Sequence, residues 1–368
     1  MTKFDEEKRD LLSFRLVEVE IGKGLLPFFK PDSESVFKGY IDGLRKIVIQ
    51  SLGFVLPGAF MSVNPDLAPN SYRLILNESV CYRGDVFLAR RISWKSQTGP
   101  KDINHGVKKV ESPGDKFPEI PMKHVIDPIF KKLEEYVTRY ADELLTRQGA
   151  MDLLDNFKRE QPACVEGVLD SDTAARLSLV HRVLRNLLSE GISIRNLGVI
   201  LEVTADFAEH LSGPDEIAEQ VREALRVQVT SKYKKQDKIH VMVLDADLEN
   251  SLINRITTGG KIEDHFKATL EIRFFNNLVE AIERIIGPGL PPVLICSPLL
   301  RKKLRDFIVR VEPRLHVMSF REIETYTEVE AVEFIDLKID SASRQRDGQK
   351  IHHLNFKACS RARKRIEY

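Results

Sequence analysis

The sequence predicts a mixed α/β protein of several subdomains, and three observations carry that expectation. Residues Val17 to Ile21 alternate apolar and charged, the period of a half-buried strand. The middle of the chain repeats apolar residues at three and four, as helices do. In the last third, short apolar runs alternate with helical stretches, the pattern of strands buried on both faces.

Taken in order, Ser35 is a candidate cap for a helix with Phe37, Ile41, Leu44, Ile47/Val48 and Leu52 on one face, stopped at Gly53. Pro57, Gly58 and Asn64-Pro65-Asp66 read as turns. Tyr72–Leu76 and Val80–Arg90 then read as a hairpin around Asn77-Glu78-Ser79. Residues 95–124 hold Gly99-Pro100, Ser112-Pro113-Gly114, Pro118 and Pro121, which predicts an irregular insertion. From Ile126 a single apolar stripe runs through Leu133, Val137 and Leu144 to Met151 and Leu154, ending before Pro162. Three helices follow, opened by Asp172, by Ser193 and by Gly213-Pro214, with Gly191 as a stop between the first two. Ile239–Leu244, Val293–Cys296, Leu315–Ser319 and Val329–Leu337 are the expected strands of the last part, with helices at about 264–286 and 298–311. The boundaries expected are a linker at 1–15, a first α/β subdomain at 16–94 and 125–150, and an insertion at 95–124. A helical subdomain at 151–236, a β/α subdomain at 237–338 and a basic tail at 339–368 complete them.

Bulk numbers limit the function. The net charge is +1 over 368 residues, so the whole chain carries no electrostatic demand for nucleic acid or membrane. Residues 341–368 are an exception at +6, which leaves −5 for residues 1–340. Such a tail is a solvated charge run or a contact for anionic lipid or nucleic acid. The four cysteines are scattered without a CxxC pair, which fits a reducing compartment. Met1 to Asp10 lacks the apolar core of a signal peptide, and the most apolar stretch, Leu52 to Val63, is too short to cross a bilayer.

Catalytic patterns are sparse. Neither GxxxxGK[ST] nor GxGxxG occurs, and Gly22-Lys23-Gly24 reads as a turn. Histidines have no helical metal spacing, and the adjacent pair His352-His353 would chelate poorly. Asp245 and Asp247 follow an apolar strand, a position suited to Mg²⁺ or to capping the helix that begins near Leu248. A helix-turn-helix around Gly191 is disfavoured, since its second helix offers Glu202, Asp206 and Glu209 where a recognition helix needs basic or amide groups.

The block Val183-Leu184-x-Asn186-Leu187-Leu188-x-Glu190-Gly191-Ile192-Ser193-Ile194-Arg195-Asn196, with Ile200-Leu201-Glu202, resembles a run typical of the flagellar FlhA and virulence-associated SctV (FHIPEP) export-gate family. Pieces in the same order agree: Val19-Glu20-Ile21-Gly22, Asp66-Leu67-x-Pro69-x-x-Tyr72, Glu143-Leu144-Leu145-x-Arg147-Gln148, Leu244-Asp245, Leu300-Arg301 and Val317-Met318-Ser319-x-x-Glu322-Ile323.

The resemblance implies a thioredoxin-like first subdomain and the cytoplasmic half of an inner-membrane export gate. It implies a ring of nine that receives chaperone–substrate complexes and the export ATPase stalk, with no enzyme activity, no cofactor and no nucleic-acid partner. In the family a DPxFG segment and a following threonine line a chaperone site. Asp127-Pro128-Ile129-Phe130 is similar to the first, and Lys131 falls where the threonine is expected. Asp127, Phe130 and Lys131 are therefore the candidate binding residues. The same stretch also reads as plain structure, Asp127 and Pro128 as cap and first residue of a helix and Phe130 as core.

Overall fold

The computed structural model describes residues 15–29, 33–86, 122–169, 173–210, 213–266 and 268–337. The expected insertion up to residue 121, the basic tail and the proposed Asp172 cap lie outside the described residues. The chain forms two compact units, one of residues 1–160 with 193–195 and one of 161–192 with 196–368.

The first unit is built on a four-stranded sheet in the order β2-β1-β3-β4, with β1 Val17–Ile21, β2 Ala59–Val63, β3 Ser71–Leu76 and β4 Ser79–Asp85. β1 runs parallel to β2 and antiparallel to β3. Val17, Val19 and Ile21 are buried on one face. Glu18 and Glu20 alternate onto the other, where Glu18 accepts from Ser62 Oγ at 2.9 Å and Glu20 from Asn64 Nδ2 at 2.8 Å and from Arg73. Asn77 and Glu78 both have positive φ, the requirement of a tight hairpin turn, so the predicted β3–β4 hairpin forms.

Helix α1, Ser33–Ser51, buries Phe37, Ile41, Leu44 and Val48 as the spacing predicts, and begins two residues before Ser35. Gly53 closes it at φ +94°, a conformation that strains any residue with a Cβ. The stripe expected to run unbroken to Leu154 is three helices: α2 Met122–Arg139, α3 Ala141–Leu144 and α4 Arg147–Lys158. The second break, at Leu145–Thr146, comes from Thr146, whose Oγ1 accepts from Gly149 N at 3.0 Å and caps α4. Thr146→Ala should therefore cost about 1 kcal/mol in a urea unfolding titration. A change below a third of that would remove the cap as the reason for the break.

The second unit begins with helices α5 Pro162–Leu169, α6 Thr173–Ser189, α7 Leu197–Phe207, α8 Pro214–Ala224 and α9 Arg226–Tyr233. Pro162 opens α5 as its first residue. Gly191 has positive φ and stops α6 as expected. Ser193 does not cap α7, which begins after Asn196 without a side-chain cap. Gly213 and Pro214 open α8 as read.

A fully parallel sheet follows in the order β7-β6-β5-β8, with β5 Lys238–Leu244, β6 Val293–Cys296, β7 His316–Ser319 and β8 Glu328–Ile335. Helices α10 Ala246–Thr257, α11 Ala268–Ile286 and α12 Pro298–Ile308 contribute to one core with it, centred on Met242, Leu278, Leu294, Leu300 and Phe274. Phe266 stacks on Phe307 with centroids 5.4 Å apart in that core.

Candidate docking groove

In the first unit, α1 and α2 enclose a groove of about 560 Å³ lined by Gly39, Tyr40, Gly43, Leu44 and Ile47 from one helix and Asp127, Phe130, Lys131 and Glu134 from the other. The three candidate residues thus share one concavity. Helical spacing explains it: positions 127, 131 and 134 follow i, i+4, i+7 and fall on one face of α2. Phe130 is 7% exposed and forms the floor. Tyr40 stacks on it with centroids 4.3 Å apart and 12° between planes, and the Phe37 ring meets it tilted at 5.8 Å. Tyr40 Oη donates to Asp127 Oδ1. Burial, and then this bond to a carboxylate, push the Tyr40 phenol up to about 12, so it stays a donor at any physiological pH.

The capping reading of Asp127-Pro128 does not hold. α2 starts at Met122, so both residues lie inside the helix. Pro128 has no N–H to give the carbonyl four residues earlier, the usual cause of a bent helix. Asp127 bonds across to α1. The reading of Phe130 as core is correct and does not compete with its place in the groove floor.

Of the two readings of Asp245 and Asp247, the structure forms the helix cap. Asp245 Oδ1 accepts from Asp247 N at 3.1 Å and caps α10. Among the described residues no group of three or more His, Cys, Asp or Glu is placed to hold a metal ion.

A family model described as the FHIPEP family matches residues 2–328. The chain belongs to the FHIPEP family. The flagellar biosynthesis protein FlhA of Escherichia coli strain K12 is 30% identical over 319 residues, 83% of this chain and 45% of FlhA. The chain spans about half the length of the curated relatives it matches. Among solved structures it is similar to Chlamydia pneumoniae CdsV, with a TM-score of 0.67 and 21% identity over 88% of this chain and 98% of that one. CdsV has also been solved in complex with CdsO, at a TM-score of 0.65. The nonameric EscV cytosolic domain from the type III secretion system scores 0.61 at 18% identity, covering 88% of this chain and 98% of its own. These structures establish the fold.

Three of the residues quoted for the FHIPEP resemblance, Glu190, Arg301 and Glu322, meet inside the second unit. Arg301 is fully buried and its fork holds Glu190 at 2.6 and 3.1 Å and Glu219 through both Nε and Nη2. Arg222, also buried, donates to Glu190 at 2.8 Å and to Glu322. Burial alone would raise the Glu190 carboxyl, but the two guanidiniums hold it down at about 2. On Glu219 burial prevails and its carboxyl is raised. The cluster joins the end of α6, α8, α12 and the turn after β7, so the family signature in this part of the chain is a structural clasp.

On α1, sequence reasoning missed Gly39, Tyr40 and Gly43 as groove residues. Two glycines four apart inside an otherwise well-patterned helix were the available signal.

Proposed function

We propose that this chain is the cytoplasmic docking part of a type III protein-export gate and that the α1–α2 groove receives export chaperone–substrate complexes. The observation that carries the reading is the gathering of Asp127, Phe130 and Lys131 in one concavity with a stacked aromatic floor. A buried aromatic anchor beside charged rim residues is the composition of an interface hot spot. Family membership supports the export-gate setting at the cytoplasmic face of the inner membrane. The nonameric relative supports assembly as a ring, and the CdsV–CdsO complex supports a further protein partner, for which the export ATPase stalk is our candidate. On this reading the protein is a scaffold that does no chemistry, and the subdomain boundaries expected from the sequence mark its moving parts. Among the described residues no helix is long and apolar enough to cross a membrane.

The test is calorimetric binding of cognate chaperone–substrate complexes to the wild type and to Lys131→Glu. Lys131 is exposed, so the substitution should leave the unfolding transition in place while weakening binding at least fivefold. Phe130→Ala should weaken it more, with some loss of stability because the Tyr40 stack is removed. Absence of binding by the wild type, or equal binding by Lys131→Glu, would exclude the groove as the docking site.

A further inference from the structure

We infer that the groove is shaped for one amphipathic helix of the partner, which crosses α1 at Gly39 and Gly43 and carries charges complementary to Asp127, Lys131 and Glu134. This rests on the docking reading above and adds to it the kind of element bound and the residues that select it.

Glycine is among the least favourable residues in a helix interior, so two in α1 need a reason. Neither has positive φ, and a Cβ built at either would meet nothing within 4 Å. The described fold therefore needs glycine at neither position. Both line the groove, and both are exposed there. What they provide is clearance, through which a second helix backbone comes close to α1.

The dimensions agree. From Gly39 to Ile47 the α1 wall rises about 12 Å, and from Asp127 to Glu134 the α2 wall rises about 10 Å. That is two helical turns, and about 560 Å³ accommodates the side chains of one helix face. Tyr40, Leu44 and Phe130 supply an apolar floor, and Ile47 stands 41% exposed at one end.

The charges define the partner further. On the adjacent face of α2, Glu135 pairs with Lys132 at 2.7 Å and with Arg139 at 3.0 Å. Lys131 and Glu134, of opposite sign and one turn apart, form no ion pair among the described residues. The rim reads minus, plus, minus along two turns, so the fitting helix presents plus, minus, plus at the same spacing. The two walls differ, one small and apolar and the other charged, so a second copy of the groove does not complement it in a two-fold pairing.

The experiment uses three helix-stabilised 16-residue peptides and the whole chain, followed by calorimetry and by the amide resonances of Gly39 and Gly43. The matched peptide places alanines at the crossing and Lys-Glu-Lys along the rim. A second reverses the charges, and a third puts leucine at the crossing. The matched peptide should bind at least tenfold more tightly than either. The double variant Gly39→Ala/Gly43→Ala should have a higher Tm, from better helix propensity, yet lose at least tenfold in affinity for the matched peptide. Equal binding of matched and reversed peptides, undiminished binding by the alanine variant, or no perturbation of the two glycine resonances by any peptide would overturn the inference. If the matched peptide binds while cognate chaperone–substrate complexes do not, the docking reading fails and the helix groove stands. If the complexes bind and are indifferent to the two alanines, the helix groove fails alone.

Discussion

Arg301→Met is expected to lower the unfolding free energy of the second unit by about 3–5 kcal/mol, the loss typical when one partner of a buried ion pair is removed. The substitution leaves Arg222 as the cation paired with Glu190 and Glu322, both largely buried, and removes the ion-pair partner of the partly exposed Glu219. Two of those carboxylates would then lose hydrogen bonds from the Arg301 fork, and an unsatisfied buried charge costs far more than the same pair contributes when intact. Arg301→Lys keeps the charge but not the fork geometry, so it should fall between the wild type and methionine. Exchanging the set together, Arg301→Met with Glu190→Leu and Glu219→Leu, should lose less than the sum of the single changes, because the orphaned groups leave with their partner. Chemical denaturation of six proteins, the wild type, Arg301→Met, Arg301→Lys, Glu190→Leu, Glu219→Leu and the triple variant, measures this directly. A methionine variant within about 1 kcal/mol of the wild type would show that water reaches the cluster and that it is no clasp.

That cluster also shows where sequence reading stops. Glu190, Arg301 and Glu322 were legible as members of a family pattern, but nothing in a linear pattern pairs residues that are 111 positions apart, as Arg301 and Glu190 are. The same holds for the groove, where Tyr40 reaches Asp127 across 87 positions. Elements whose burial follows a simple period were read well. The apolar runs of β6 and β7 declare themselves because both faces are largely buried, and the β3–β4 turn because Asn77 tolerates positive φ. β2 carries no such signal for the converse reason: it is an edge strand with Phe60 and Val63 exposed, so it lacks alternation, and it lies unassigned between the turn residues Pro57-Gly58 and Asn64-Pro65-Asp66. The Leu145–Thr146 break was hidden because Leu144, Met151 and Leu154 keep helical period across it, while one hydroxyl restarts the helix.

Stability of the second unit should fall as pH drops from about 6.5 to about 4, by up to about 3 kcal/mol. The responsible group is His316 at the start of β7, whose Nδ1 lies 3.1 Å from Tyr233 Oη. Burial first, then the positive charge of Lys232, push its imidazole down to about 4, and Arg222 and Arg305 act in the same direction. A lowered histidine is held neutral by the fold. The unfolded chain takes up its proton near the ordinary value of 6.5, so between there and about 4 it binds the proton that the folded state refuses. The stability that depends on neutral imidazole is therefore complete above 6.5 and gone below about 4. Glu190 extends the loss, because a carboxyl held at about 2 contributes above 4.5 and loses that contribution as pH falls further. Glu219 opposes both: its raised carboxyl is protonated first in the folded state, which offsets part of the decline. His316→Phe should flatten the profile between 6.5 and 4 while leaving the fall below 4.5 in place, since it removes the titrating ring and keeps an aromatic against Tyr233. Tm measured at pH 7.5, 5.5 and 4.5 for both proteins, with an NMR titration of the His316 ring, decides the matter. A His316 ring that titrates at its ordinary value in the folded protein would remove the histidine from the account, and any acid loss would then belong to the carboxylates of the Arg301 cluster.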